Sequence, residues 1–341
     1  MNTLTRGVRK QVLDNGLTVL SKEIHTAPVV SVQVWYRVGS RNEGQGSNGI
    51  SHQLEHLLFK GTKDRPIQFG RLFSALGSAS NAFTSYDMTA YYGTVGRDKL
   101  EALLMLEADR MRHALIDEEQ LESEKRVVIS ELQGYDNSPE YRLSQAVMRR
   151  ALPDRAYGLP VGGTKTDVEG FTVQQVRDYY QHYYRPENAV LVVAGDFDLD
   201  PLQTWVQQTF GAIPASLAGA DGLEENRSAP MGAIAKLRTQ SPHPESADPT
   251  PIHLREPGSA ALIEAVYPIP AVKHPDGPIL DVMDTILSVG RHSRFYQTLI
   301  EPGLVSQAHS YSASLIEPGW YDISLTLVPE QSLEAVDQVL L

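Results

Sequence analysis

The chain predicts an α+β protein of two related domains, each a largely antiparallel sheet with helices on one face. Three observations lead there. In residues 1–213, short runs rich in β-branched and aromatic residues are interspersed with long helical patterns. A polar stretch broken by prolines follows over 214–251, and residues 252–341 then repeat the strand and helix that open the first half. At 341 residues the chain is also too long for one comfortable core.

The elements read in order as follows. Leu17–Leu20 and Val29–Tyr36 are strands. A short helix spans the segment around His52 to Leu58. Residues 97–113 and 117–134 carry two long helical patterns, and 173–184 a third that Pro186 closes. Ala189–Gly195 is a buried strand, and Pro201–Phe210 a final helix. Pro214, Pro230, Pro242, Pro244, Pro249 and Pro251 then mark an interdomain linker, with one short strand expected near Ile234. It serves either as a plain tether or as a hinge that lets two halves close.

In the second half, Ala260–Tyr267 is a strand and Pro278–Gly290 a helix. Laying Gly290 on Gly61 puts Ile279 on Ile50, Met283 on Leu54 and Ile286 on Leu57. The same register puts Asp281 on His52, Asp284 on Glu55 and Thr285 on His56. The apolar pattern repeats and the histidines do not. The domains are therefore expected at 1–213 and 252–341, joined by 214–251, with no metal site in the second.

Composition narrows the class of partner. The formal net charge of -12 argues against nucleic acid or an anionic membrane. No stretch approaches the ~20 apolar residues that span a bilayer. The first 20 residues hold no uninterrupted apolar h-region, so a cytoplasmic protein is expected. The absence of cysteine excludes disulfides and thiolate metal ligands.

The chemistry concentrates in His52-Gln53-Leu54-Glu55-His56, a His-x-x-Glu-His run. Residues four apart on a helix share a face about one turn apart, so both imidazoles point to one side, with the Glu55 carboxylate nearby. This is the reverse of the commoner His-Glu-x-x-His zinc motif. Catalytic zinc takes three protein ligands and keeps an open position, so one ligand is missing. Glu124 and Glu131 supply candidates, for they lie seven apart, about two turns, on one helical face. One can bind the metal while the other holds a ligand histidine by its second ring nitrogen. The remaining histidines (25, 113, 182, 243, 253, 274, 292 and 309) show no ligand spacing.

These motifs resemble the pitrilysin-type inverted-zincin metallopeptidases, and the processing-peptidase-like branch above all. In that family a metal-binding Glu follows the His-x-x-Glu-His run by some 75 residues, with another acidic residue seven before it. Glu131 lies 75 positions after His56. The resemblance implies that His52, His56 and Glu131 bind one zinc ion per chain, that Glu55 is the general base, and that Glu124 supports a ligand from behind. Gly61-Thr62, Leu76-Gly77 and Asn81-Ala82-Phe83-Thr84-Ser85 match the family's turn and following edge strand. In relatives that strand pairs with the peptide, so Asn81, Ala82, Phe83 and Thr84 are expected to bind substrate.

The resemblance implies a zinc endopeptidase acting on extended or unfolded peptides. The alternative is a non-catalytic or partner-dependent subunit of a heterodimeric peptidase. Two departures favour the alternative. The last predicted helix, Ser332–Leu341, runs to the end of the chain where relatives continue, so the second domain is expected to be truncated. Ile300 and Ser306, after Ser293-Arg294-Phe295-Tyr296, stand where many relatives carry a substrate-gripping Arg and Tyr. Family members that lack such groups pair with a related subunit, so a homodimer or heterodimer is expected.

Overall fold

The computed structural model describes residues 5–44, 46–153, 155–215 and 251–340. The predicted linker, apart from its ends, and the strand near Ile234 lie outside the described residues. Contacts divide the chain into two compact units. The division does not follow the chain order. Residues 131–159 go with the second unit, and the boundary falls inside one unbroken helix.

The first unit is built on a six-stranded sheet. Its strands are β1 (Arg9–Val12), β2 (Thr18–Glu23), β3 (Val29–Tyr36), β4 (Ala79–Thr84), β5 (Thr89–Gly96) and β6 (Ala189–Gly195). Their spatial order is β1-β2-β6-β3-β5-β4, and every pairing is antiparallel except β2 with β6. β3 shows why the sheet has one core face. In VVSVQVWY, Val30, Val32, Val34 and Tyr36 are buried and the residues between them are not, the period of a half-buried strand. β6 lies between β2 and β3, and its Ala189, Leu191 and Val193 continue the same core.

Helices of the first unit are α1 (Ile50–Leu57), α2 (Phe69–Leu76), α3 (Leu100–His113) and α4 (Glu118–Asp136) up to Ser130. After α5 (Pro139–Ala151), which belongs to the second unit, come α6 (Lys165–Gly170), α7 (Val173–Tyr183) and α8 (Leu199–Thr209). Local signals set several ends. Thr172 and Gln175 form a reciprocal capping box at the start of α7, and Thr164 and Asp167 do the same for α6. Ser138 caps α5, with Pro139 in its first turn.

Among the described residues the second unit has three antiparallel strands, β7 (Leu262–Pro268), β8 (Val305–Ser312) and β9 (Trp320–Leu327), in the order β7-β9-β8. Helices α9 (Gly277–Ser288) and α10 (Leu333–Leu340) complete it. α9 meets the face that carries Ser310 and Tyr321, while Ser144 of α5 reaches Glu264 on the other face. α9 is the helix that the internal alignment lays on α1, and Gly290 after it has φ 79°, as Gly61 after α1 has φ 119°.

One loop ties the sheet to the helix layer. The chain turns after β3 at Gly39, where a Cβ would sit 2.2 Å from the Ser85 carbonyl oxygen. The amides of Ser40 and Arg41 donate to the Ser85 and Tyr86 carbonyls, and Arg41 pairs with Asp87 at 2.9 Å. The β4–β5 turn is thus docked on residues 39–41. Gly39→Ala should therefore destabilise the protein by about 1–3 kcal/mol, the range for forcing atoms into a packed site. Urea unfolding checks this, and an unchanged midpoint would contradict it.

Candidate metal centre

α1 has only eight residues, so local geometry decides whether it forms. Its N-cap, Gly49, sits at φ 91° and brings no side chain to the first amides. A Cβ there would lie 2.3 Å from the Gly162 carbonyl oxygen. The cap comes instead from Glu43. Its carboxylate accepts from the amides of Gly49 at 2.6 Å and Ser51 at 2.8 Å, and from Asn48 Nδ2 at 3.2 Å. Burial pushes this carboxyl up to about 7, while those hydrogen bonds pull it down. Ser51 and Tyr179 of α7 share a hydroxyl contact at 2.6 Å, and Leu54 and Leu57 are fully buried. Together these orient α1 and turn His52, Glu55 and His56 to its other side.

The two imidazole rings lie 4.8 Å apart between centroids. Ligand atoms of His52, His56 and Glu131 all lie within 4.8 Å of one another. Glu131 belongs to α4, the same helix as Glu124, and accepts from the Tyr135 hydroxyl one turn on, at 2.7 Å. α4 is anchored by buried Leu121, Val128 and Leu132, whereas Val127 is exposed rather than packed.

Glu124 is buried and faces His56 Nδ1 at 3.4 Å, with Lys60 on its other oxygen. Burial raises the Glu124 pKa, but the hydrogen bonds from His56 and Lys60 outweigh it and hold the carboxyl below its usual value. A carboxylate on Nδ1 orients the ring so that Nε2 is the ligand atom. Two imidazoles and a carboxylate are the donor set of a catalytic zinc site, so these residues fit that metal. Glu55 is not among the three convergent ligands, and its Oε2 accepts from Thr84 Oγ1 at 2.6 Å.

Asn81, Ala82, Phe83 and Thr84 lie on β4, the edge strand of the sheet, and α1 packs against that strand. Phe83 stacks edge-on against Trp35 with centroids 5.6 Å apart. Ile300 packs into the core of the second unit. Ser306 sits at a bulge in β8, with its hydroxyl on the Thr326 carbonyl at 3.2 Å.

Three contacts of the site escape a reading by motif. The Glu43 cap on α1 and the Thr84–Glu55 hydrogen bond join residues that no local period links. Tyr135 lies one turn past Glu131, a spacing that could have flagged it. A further cluster joins Asp64, Asp109 and His113. Asp109 there already accepts from Thr62 Oγ1, Arg65 and His113 Nδ1, at 2.7, 2.6 and 2.9 Å. A guanidinium in the cluster makes it an ion-pair network that pins the loop after α1. Among the described residues, no helix is long and apolar enough to cross a membrane.

An antiparallel sheet whose edge strand borders a His-x-x-Glu-His helix, with a distal Glu completing the set, defines the inverted-zincin class. Comparison with known proteins specifies it. Residues 18–165 match the family described as insulinase, peptidase family M16, and residues 170–340 match the peptidase M16 inactive domain. The chain belongs to peptidase family M16. It is 30% identical over 307 residues to the zinc protease PqqE of Helicobacter pylori, covering 89% of this chain and 66% of that one. It is 29% identical over 318 residues to the uncharacterized zinc protease YmxG of Bacillus subtilis, covering 93% and 73%. The crystal structure of a protease from Helicobacter pylori superposes with a TM-score of 0.87 at 28% identity, covering 98% of this chain and 78% of that one. The chain thus spans about two thirds to three quarters of these relatives.

His52→Ala and His56→Ala should each abolish stoichiometric zinc, read by metal analysis after dialysis, against one ion per chain in the parent. Glu124→Gln should keep the site but weaken it by about 10–100-fold in chelator competition, the usual effect of losing a partner behind a ligand histidine. Parent-like affinity in Glu124→Gln would remove that role.

Proposed function

We propose that this chain is a zinc-dependent endopeptidase that hydrolyses extended or unfolded peptides. The convergence of His52, His56 and Glu131 beside the edge strand β4 carries this reading. Those three residues would hold the zinc, which when bound supplies Lewis-acid polarisation of a carbonyl and acidifies water. Glu124 keeps the His56 ring in its ligating orientation. Glu55 takes the proton of the attacking water and returns it to the leaving amine.

The edge strand accounts for the substrate class. β4 pairs with β5 on one side, which leaves its outer edge to add a peptide strand through main-chain hydrogen bonds. An extended segment presents its backbone in that way, which favours unfolded peptides as substrates. Asn81, Ala82, Phe83 and Thr84 would then lie along the bound peptide. The naming of the Helicobacter pylori relative as a zinc protease supports the same activity.

Glu55→Gln tests the chemistry, because an amide cannot accept the proton. The variant should retain one zinc per chain and lose at least about 100-fold in turnover of a quenched unfolded peptide, the scale of general-base catalysis. Parent-like turnover would remove Glu55 from this role.

A second reading, a partner-dependent subunit, is favoured by one observation. Ile300 is a core residue and Ser306 is spent on a bulge, so neither offers a cation or a phenol to a bound peptide. A peptide held along one sheet edge has few contacts to offset its lost chain entropy. Peptide cleavage by the 341-residue chain alone should therefore be weak, and should rise on titration with a related subunit that carries Arg and Tyr at those positions. Full activity without a partner would sink this second reading and leave the first standing.

A further inference from the structure

Thr84 is the last residue of β4, next to the tight turn that leads into β5. Its hydroxyl donates to Glu55 Oε2 at 2.6 Å, a short, charge-assisted contact. Both ends of this bond are held by one loop. The amides of Ser40 and Arg41 grip the Ser85 and Tyr86 carbonyls immediately after Thr84, and Arg41 pairs with Asp87 in the same turn. Three residues on, Glu43 caps the helix that carries Glu55. The missing Cβ at Gly39 lets that loop lie against the turn.

We infer that Thr84 is a positioning residue for Glu55, fixing the carboxylate so that its base oxygen faces the reacting water. A glutamate side chain has several soft torsions, and its last one is broad. A hydrogen bond to one oxygen of the carboxylate sets that torsion, and with it the direction of the other oxygen. The strand proposed to take the peptide thereby also orients the base. This inference rests on the reading of Glu55 as general base.

The kinetic test uses Thr84→Val, which keeps shape and removes the hydroxyl, and Thr84→Ser, which keeps the hydroxyl. It is run on the zinc-loaded chain, with the related subunit added where turnover requires it. Thr84→Val should lower kcat by about 10–100-fold with KM and zinc content unchanged, the scale of a misplaced catalytic group. Thr84→Ser should recover most of the loss. In a Glu55→Gln background Thr84→Val should leave peptide affinity within about twofold, because β4 would hold the peptide through its main chain, which the substitution leaves in place. A rise in KM or a loss of peptide affinity would make the Thr84 side chain itself a substrate contact and overturn the inference. So would loss of zinc, a parent-like kcat, or a serine variant no better than valine.

A second arm needs neither metal nor turnover. Thr84→Val, Glu55→Ala and the double variant are compared by unfolding midpoint in the metal-free chain. The double variant should lose less than the sum of the single losses, because both remove one bond. Strictly additive losses would overturn the contact. Parent-like turnover of Glu55→Gln alone would instead mean that the general-base reading is wrong.

Discussion

A buried carboxylate at the positive end of a short helix is the constraint on which the site depends. α1 begins at a glycine that has no side chain to cap it, and eight residues are too few to hold a helix by propensity alone. Glu43 satisfies two of its first amides and places negative charge where the helix dipole favours it. The same loop is bound to the β4–β5 turn through Ser40, Arg41 and Asp87. One segment of five residues therefore sets the distance between α1 and the edge strand. Helix and strand meet in the Thr84–Glu55 hydrogen bond, which joins the proposed base to the proposed peptide platform.

The other end of α1 is held by buried charge as well. Asp109 binds Thr62 and Arg65, which locks the loop that leaves the helix. Arg110, the next residue of α3, is buried against Glu107, and its guanidinium lies 4.2 to 5.6 Å from the ring centroids of Phe59, Phe69, Phe73 and Tyr91. Phe59 follows α1 directly. A delocalised cation among aromatic faces needs less hydration than an ammonium group, which suits arginine to this interior. Neighbouring residues of α3 thus anchor the chain on leaving α1 through two different interactions.

The second unit shows the same plan put to structural use. Asp284, at the position of Glu55 in the internal alignment, accepts from Ser310 and from Tyr321 at 3.0 Å, so it secures α9 to the sheet. Glu264 is pushed up to about 7 by burial and by the neighbouring Asp322 carboxyl, with which it shares a hydrogen bond. Burial also differs between the repeats. Ile50 and Leu57 are 2% and 0% exposed, whereas their counterparts Ile279 and Ile286 are 65% and 51% exposed. The repeated apolar pattern therefore describes a shared helix, and its surroundings differ.

Much of this protein was legible in one dimension. Period and spacing alone determined the long helices at 100–113 and 118–136, the alternating strand β3, and the two histidines one turn apart, because each depends on neighbours within a few residues. The resemblance to the family followed from the His-x-x-Glu-His run and the His56 to Glu131 spacing, and residues 18–165 match that family. Strands β5, β8 and β9 were hidden, since runs such as Thr89–Gly96 contain glycine and little strict alternation, and their pairing comes from distant strands. The assignment of residues 131–159 to the second unit was equally invisible, because it is set by packing rather than by chain order. Only the tertiary structure brought Glu43 to the first amides of α1 and the Thr84 hydroxyl to Glu55. Those contacts join residues 6 to 29 positions apart through loops and a strand, where no helical or strand period links them.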